Sequence, residues 1–153
     1  AKDQEAAEKY LRLAATGNDA RALFMLGKII EKRAKDTGDI RIAIRLYLRA
    51  ANQNHPEACY TIGNFLLNGY ILRPDHQEAV KWFKKAAERE YTPAQRQLAS
   101  CYIRGIGVEE NRQKGLLWLH RAADNGDTEA IKIVGAPSTG IQAQKDKSSP
   151  IFE

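Results

Sequence analysis

Three histidines and two cysteines carry the widest chemical repertoire in this chain. Imidazoles hold zinc when several converge, most simply as His-x-x-x-His on one helical turn or beside a carboxylate at ligand spacing. His55, His76 and His120 do neither, being scattered among helix ends and one helix body. Cys59 and Cys101 are too few for a disulfide framework and do not stand at metal-ligand spacing. Gly105-Ile106-Gly107 opens like a dinucleotide loop, yet no strand pattern precedes it and no third glycine follows at the required spacing, so it reads as turn chemistry. No nucleophile with its base and no pair of acids can be assembled. The sequence therefore assigns no catalytic, cofactor-binding or metal-ligating residue, implies no cofactor, and reads as a non-enzyme.

The remaining chemistry is charge. The 153 residues include 24 Lys and Arg against 19 Asp and Glu, a formal charge of +5. Lys9, Arg45 and Lys81 recur at one fixed interval, as do Arg49, Lys85 and Arg121. Two such rows would suit nucleic acid or acidic membrane lipid. They lack interleaved surface aromatics and Gly-rich recognition loops, so a solvated helix face is the favoured reading and the anionic partner is kept as the alternative. No apolar run approaches the roughly 18 residues of a membrane span, and Ala1-Lys2-Asp3-Gln4-Glu5 has no apolar signal core. The chain opens on Ala and not Met, which fits a trimmed or processed product; a cytoplasmic location and a periplasmic or secreted one both stay open.

That interval of thirty-six residues organises the elements. It carries Ala58 to Ala94, Ile62 to Leu98, Gly69 to Gly105, Trp82 to Trp118 and Ala86-Ala87 to Ala122-Ala123, and backwards it carries Ala58 to Ala22, Gly63 to Gly27 and Ala86-Ala87 to Ala50-Ala51. A fixed period holding two helical patterns predicts an all-α helix-turn-helix solenoid, in which each unit buries its apolar face on its neighbours. The reading is a solenoid over 1–135, made of a half repeat 1–18, repeats 19–54, 55–90 and 91–126, and a terminal helix 127–135. Within the repeats a first helix, A, falls at 19–32, 55–68 and 92–104, and a second, B, at 39–53, 75–89 and 111–125; a B helix at 2–17 precedes them. Residues 136–153 lose the period and read as a tail.

Boundary residues supply local reasons. Asp39, Asp75 and Asn111 are expected to cap the B helices, Asp75 with Glu78 at capping-box spacing. Asn18, Asn54 and Gly126 suit left-handed turns after B, with Glu90 the odd member. Pro56 and Pro93 sit near the first turn of an A helix, where a missing amide costs nothing. Leu46-Tyr47, Trp82-Phe83 and Trp118-Leu119 are expected to pack on Leu26, Ile62 and Leu98 of A.

These residues resemble the Sel-one-like repeat (SLR), a relative of the tetratricopeptide repeat. In the second repeat the likeness rests on Ala58, Tyr60, Ile62-Gly63, Gly69, Leu72, Asp75, Ala79, Trp82-Phe83 and Lys85-Ala86-Ala87; in the third, on Ala94, Leu98, Tyr102, Gly105-Ile106-Gly107-Val108, Asn111, Trp118 and Ala122-Ala123. The first departs, because Arg33, Lys35 and Asp36 replace the loop glycines, and its A-to-B turn is expected to take a different path. The resemblance implies a right-handed α-α superhelix, a scaffold or adaptor whose A helices line a concave surface for a partner protein or peptide. Such proteins include bacterial secretion, envelope, host-interaction and toxin-immunity factors, and adaptors in eukaryotic protein quality control. The helix-stapling Cys pair of cysteine-rich relatives is absent, so the penicillin binding linked to some of them finds no residues here.

On A helices lining a concave side, positions i, i+4, i+7 and i+11 avoid the small-residue packing face. They place Arg21, Met25, Lys28 and Lys32 beside Glu57, Thr61, Asn64 and Asn68, then Pro93, Gln97, Ser100 and Arg104, as the expected protein-binding stripe. The tail's Ile151 and Phe152 are expected to dock on the solenoid or on a neighbouring molecule. The half repeats at either end should expose apolar side chains, Tyr10, Leu11 or Leu13 among them. Cys59 and Cys101 lie six residues out of phase, roughly 9 Å of rise, on helices about 8 to 10 Å apart. Their Cα atoms should stand on the order of 12 Å apart, beyond the roughly 7 Å a disulfide spans. Cys101 is expected as buried filler in the place of Phe65, and Cys59, in the place of Gln95, as exposed.

Overall fold

The computed structural model describes residues 1–135. They form eight α-helices, α1 Lys2–Thr16, α2 Ala20–Arg33, α3 Thr37–Ala51, α4 Pro56–Asn68, α5 His76–Ala87, α6 Thr92–Arg104, α7 Arg112–Asp124 and α8 Thr128–Val134, and no strand among the described residues. Substantial packing joins each helix to the next in sequence and to no other. The result is an all-α helical repeat superhelix in which α2, α4, α6 and α8 are A helices and α1, α3, α5 and α7 are B helices.

Size complementarity between A and B fixes how closely the pairs approach. A Cβ added at Gly27 would lie 2.6 Å from Tyr47 Cε1, and one at Gly63 would lie 2.5 Å from Phe83 Cε1. Each glycine is therefore a socket for a buried ring. In the third repeat both partners change together: Ala99 replaces the glycine and Leu119 the ring, while Gly115 on α7 takes over the close approach, where a Cβ would meet Ile103 and the Ala99 carbonyl. Leu26, Ile62 and Leu98 are buried beside Tyr47, Trp82, Phe83, Trp118 and Leu119 as expected, with Leu46 half-buried.

The turns after all four B helices are left-handed, with φ of 62° at Asn18, 62° at Asn54, 61° at Glu90 and 88° at Gly126. Glu90 has neither the small side chain nor the local hydrogen bonding that makes this region cheap. Tertiary partners hold it instead. Its carboxylate accepts from Gln95 Nε2 at 3.1 Å, from Asn125 Nδ2 at 2.6 Å, and from Arg121. Partial burial works against its charge, yet the hydrogen bonds from Arg121, Asn125 and Gln95 outweigh it and hold the carboxyl below the usual range.

Two expectations are corrected. Asp39 does not cap α3: Asp36 does, accepting from the amides of Gly38 and Asp39, while the Asp39 carboxylate accepts from the Lys35 amide. Without loop glycines, α2 ends on Ala34 in an extended conformation and α3 starts at Thr37, so the cap moves forward. Asp75 and Asn111 cap α5 and α7 as read from the sequence. Cys59 is fully buried and not exposed. Its phase partner Gln95 is buried too, and both positions face the end of the preceding B helix: Cys59 Sγ lies 3.5 Å from the Ala51 carbonyl, and Gln95 Nε2 donates to the Ala87 carbonyl at 3.0 Å. Both cysteines are free and buried, and burial pushes the Cys101 thiol up to about 11.

Candidate protein-binding face

The A helices spend one face on their B partners and leave the other to solvent. Of the twelve stripe positions none is buried. Arg21, Met25, Lys28, Lys32, Glu57, Asn68 and Arg104 are exposed, and Thr61, Asn64, Pro93, Gln97 and Ser100 are partly so. Met25, at 43% exposure, is an apolar residue left uncovered in the middle of the α2 row. No carboxylate among the described residues forms an ion pair with Arg21, Lys28 or Lys32.

Two adjoining depressions lie at the α2 end of this face. The first, about 380 Å³, lies between α2 and α4 and is lined by Arg21, Phe24, Met25, Lys28, Ile29, His55 and Glu57. The second, about 410 Å³, lies over α1 and α2 and shares Arg21 and Met25 with the first. Four stripe residues thus converge on one hollow; Lys32, Thr61, Asn64, Asn68, Gln97, Ser100 and Arg104 line neither.

Sequence reasoning missed Phe24, Ile29 and His55. Phe24 was hidden by its apolarity, since it is nearly buried and packs on Tyr47 with ring centroids 5.4 Å apart. His55 carried a legible signal: one period separates it from Asp19 and from Tyr91, and it occupies the N-cap of an A helix. Its Nδ1 accepts from the Ala58 amide at 3.3 Å, and its ring lies 4.9 Å from that of Phe24. Burial lowers its pKa and Arg21 adds to this, against Glu57 and Asp19.

One of the two cationic rows of the B helices is engaged along its whole length. Arg49 donates to Asn18 Oδ1 at 3.0 Å, Lys85 Nζ lies 4.2 Å from the Trp82 ring centroid, and Arg121 binds Glu90 and lies over Trp118. Arg49 and Arg121 thus join neighbouring repeats, while Lys85 lies over a ring of its own helix. In the other row Lys81 pairs with Glu78 at 3.0 Å. Among the described residues no group of His, Cys, Asp and Glu could hold a metal ion, and no helix is long and apolar enough to cross a membrane. Ile151 and Phe152 lie outside the described residues.

A sequential stack of A/B helix pairs with a polar A face defines a helical-repeat scaffold. The profile of the Sel1 repeat matches residues 1–19, 20–55, 56–91 and 92–127, and the chain belongs to the Sel1 repeat family. Among solved structures it is similar to a Sel1 repeat protein from Oxalobacter formigenes, with 30% identity and a TM-score of 0.77 over 85% of this chain and 53% of that one. It is also similar to a protective antigen present in uropathogenic Escherichia coli strains displaying an SLR fold, with 31% identity and a TM-score of 0.76 over 87% of this chain and 28% of that one. The chain thus spans about half of the first relative's length and little more than a quarter of the second's. Helicobacter pylori cysteine rich protein B shares the fold at 20% identity, with a TM-score of 0.67 over 87% of this chain and 96% of that one. No curated protein matches. Sel1 repeat proteins are in general protein-interaction scaffolds without catalytic function.

Proposed function

We propose that this chain is a non-enzymatic adaptor that takes a partner protein or peptide on its A-helix face, with one row of contacts from each of the units 19–54, 55–90 and 91–126. One observation carries the reading: over three successive A helices no stripe position is buried, and seven of the twelve are exposed. A surface of mixed polar residues with one uncovered methionine suits an electrostatically steered contact more than a large apolar one. The narrower setting, a bacterial secretion, envelope, host-interaction or toxin-immunity role, rests on the family's range.

The test is a pull-down from the native organism with three baits: wild type, a stripe variant (Met25→Glu, Asn64→Arg, Gln97→Glu) and a B-face control (Arg45→Glu, Lys81→Glu). The reading expects a partner retained by wild type and control and lost from the stripe variant. Loss from the control alone, with binding that falls steeply as salt rises, would move the function to the basic B face and an anionic partner.

A further inference from the structure

The stripe is not chemically uniform. Along α2 it carries Arg21, Lys28 and Lys32 with no carboxylate, whereas α4 contributes only Glu57 and α6 only Arg104 as charged members. Two of these cations, Arg21 and Lys28, sit where the face is also hollow and apolar, Lys28 Nζ lying 5.7 Å from the Phe24 ring centroid. Phe24, Met25 and Ile29 line the depression of about 380 Å³ together with Arg21 and Lys28. His55 adds direction. Because its Nδ1 accepts the Ala58 amide, the neutral ring carries its proton on Nε2 and has a donor to offer.

We infer that the α2–α4 depression is a subsite for an acidic peptide segment of the partner, whose bulky apolar side chain seats on Phe24, Met25 and Ile29 while flanking carboxylates meet Arg21 and Lys28. The inference rests on the A-face reading proposed above and names the chemistry of its occupant. Guanidinium and ammonium groups beside an apolar floor form stronger ion pairs than fully solvated ones. Glu57, on the α4 side, repels the same carboxylates and so orients the peptide with its acids toward α2.

Random linear peptides displayed against the purified chain provide the probe. The selected sequences should hold a large apolar residue with Asp or Glu close by. A synthetic peptide of that sequence, followed by fluorescence anisotropy, should lose about tenfold or more in affinity to Arg21→Glu/Lys28→Glu and gain severalfold with Glu57→Gln, whereas Arg104→Glu changes it by less than about twofold. The exposed positions of these substitutions leave the fold intact, and opposite signs at Arg21/Lys28 and Glu57 cannot both come from unfolding. Selection without enrichment of acids, or an equal loss from Arg104→Glu, overturns the inference.

Amide shifts separate its failure from that of the A-face reading. If the peptide perturbs Thr61, Gln97 and Ser100 but not Met25 or Lys28, the face stands and the acidic subsite falls. If it perturbs only B-helix residues such as Arg45 and Lys81, both fall. An affinity that rises about tenfold on deletion of 136–153 would make the chain's own segment the occupant and overturn assignment to a partner.

Discussion

At the start of every complete A helix stands one residue of the same phase, and its chemistry varies: Asp19, His55 and Asp127 accept an amide of the first turn, while Tyr91 makes no side-chain cap. An imidazole can accept only while neutral. The fold lowers the His55 pKa, chiefly by burial, so its contribution is fully present above the unfolded value of about 6.5 and is lost as pH falls through the lower folded value. The substitution His55→Asp should keep the cap and remove this loss. Between pH 7 and 5 its melting temperature should fall less than that of wild type, whereas His55→Ala should cost about 0.5–2 kcal/mol at pH 7. Parallel pH profiles for wild type and His55→Asp would exclude His55 as the source. At this scale the sequence was legible where the reason is local, as at Asn18, Asn54 and Gly126. It was not at Glu90, whose left-handed turn is secured by Arg121 and Asn125, more than thirty residues away. Nor was it at Cys59, where a comparison of residue types with Gln95 suggested exposure although the shared position points at a helix-end carbonyl.

Between elements, packing depends on pairs. Gly27 with Tyr47, Gly63 with Phe83 and Ala99 with Leu119 conserve combined size while exchanging who supplies it. The substitution Gly63→Ala should cost about 1–3 kcal/mol by driving a methyl into the Phe83 ring, and Phe83→Leu should destabilise by opening space. Together they rebuild the third repeat's pair. The double variant should therefore be more stable than the sum of the single losses predicts, with a coupling of roughly 1 kcal/mol or more in urea denaturation. Additive losses would show that the second repeat cannot relax into the third one's arrangement, for instance because it keeps Ala79 where the third has Gly115. The A and B helices themselves were readable because the period repeats every packing position three times over; the proposed binding stripe was read only as what packing leaves unused. The α2–α4 hollow was not, since it brings Phe24 of one repeat together with His55 of the next.

For the molecule as a whole, stability is a sum over neighbours, and among the described residues the first and last helices have one neighbour fewer. In α1 only Ala15 is buried, with Tyr10 at 74% and Leu13 at 69% exposure, and α8 buries only Ala130 and leaves Ile133 at 62%. Amide exchange in the isolated 1–153 chain should be fastest in these two helices and slowest in α4 to α6; uniform protection from α1 to α8 would mean that the whole stack opens as one unit. Covering the ends, by added chain or a partner, should slow exchange there first. The helix-to-next-helix packing also has a kinetic meaning. Contacts between neighbours in sequence close short loops, and chains dominated by them fold in about microseconds to milliseconds. A stopped-flow trace should show the main refolding phase in that range. On the ribosome, each A/B pair can settle on the one already made before the next has been translated, so the growing chain never holds more than about one repeat's apolar surface open to aggregation.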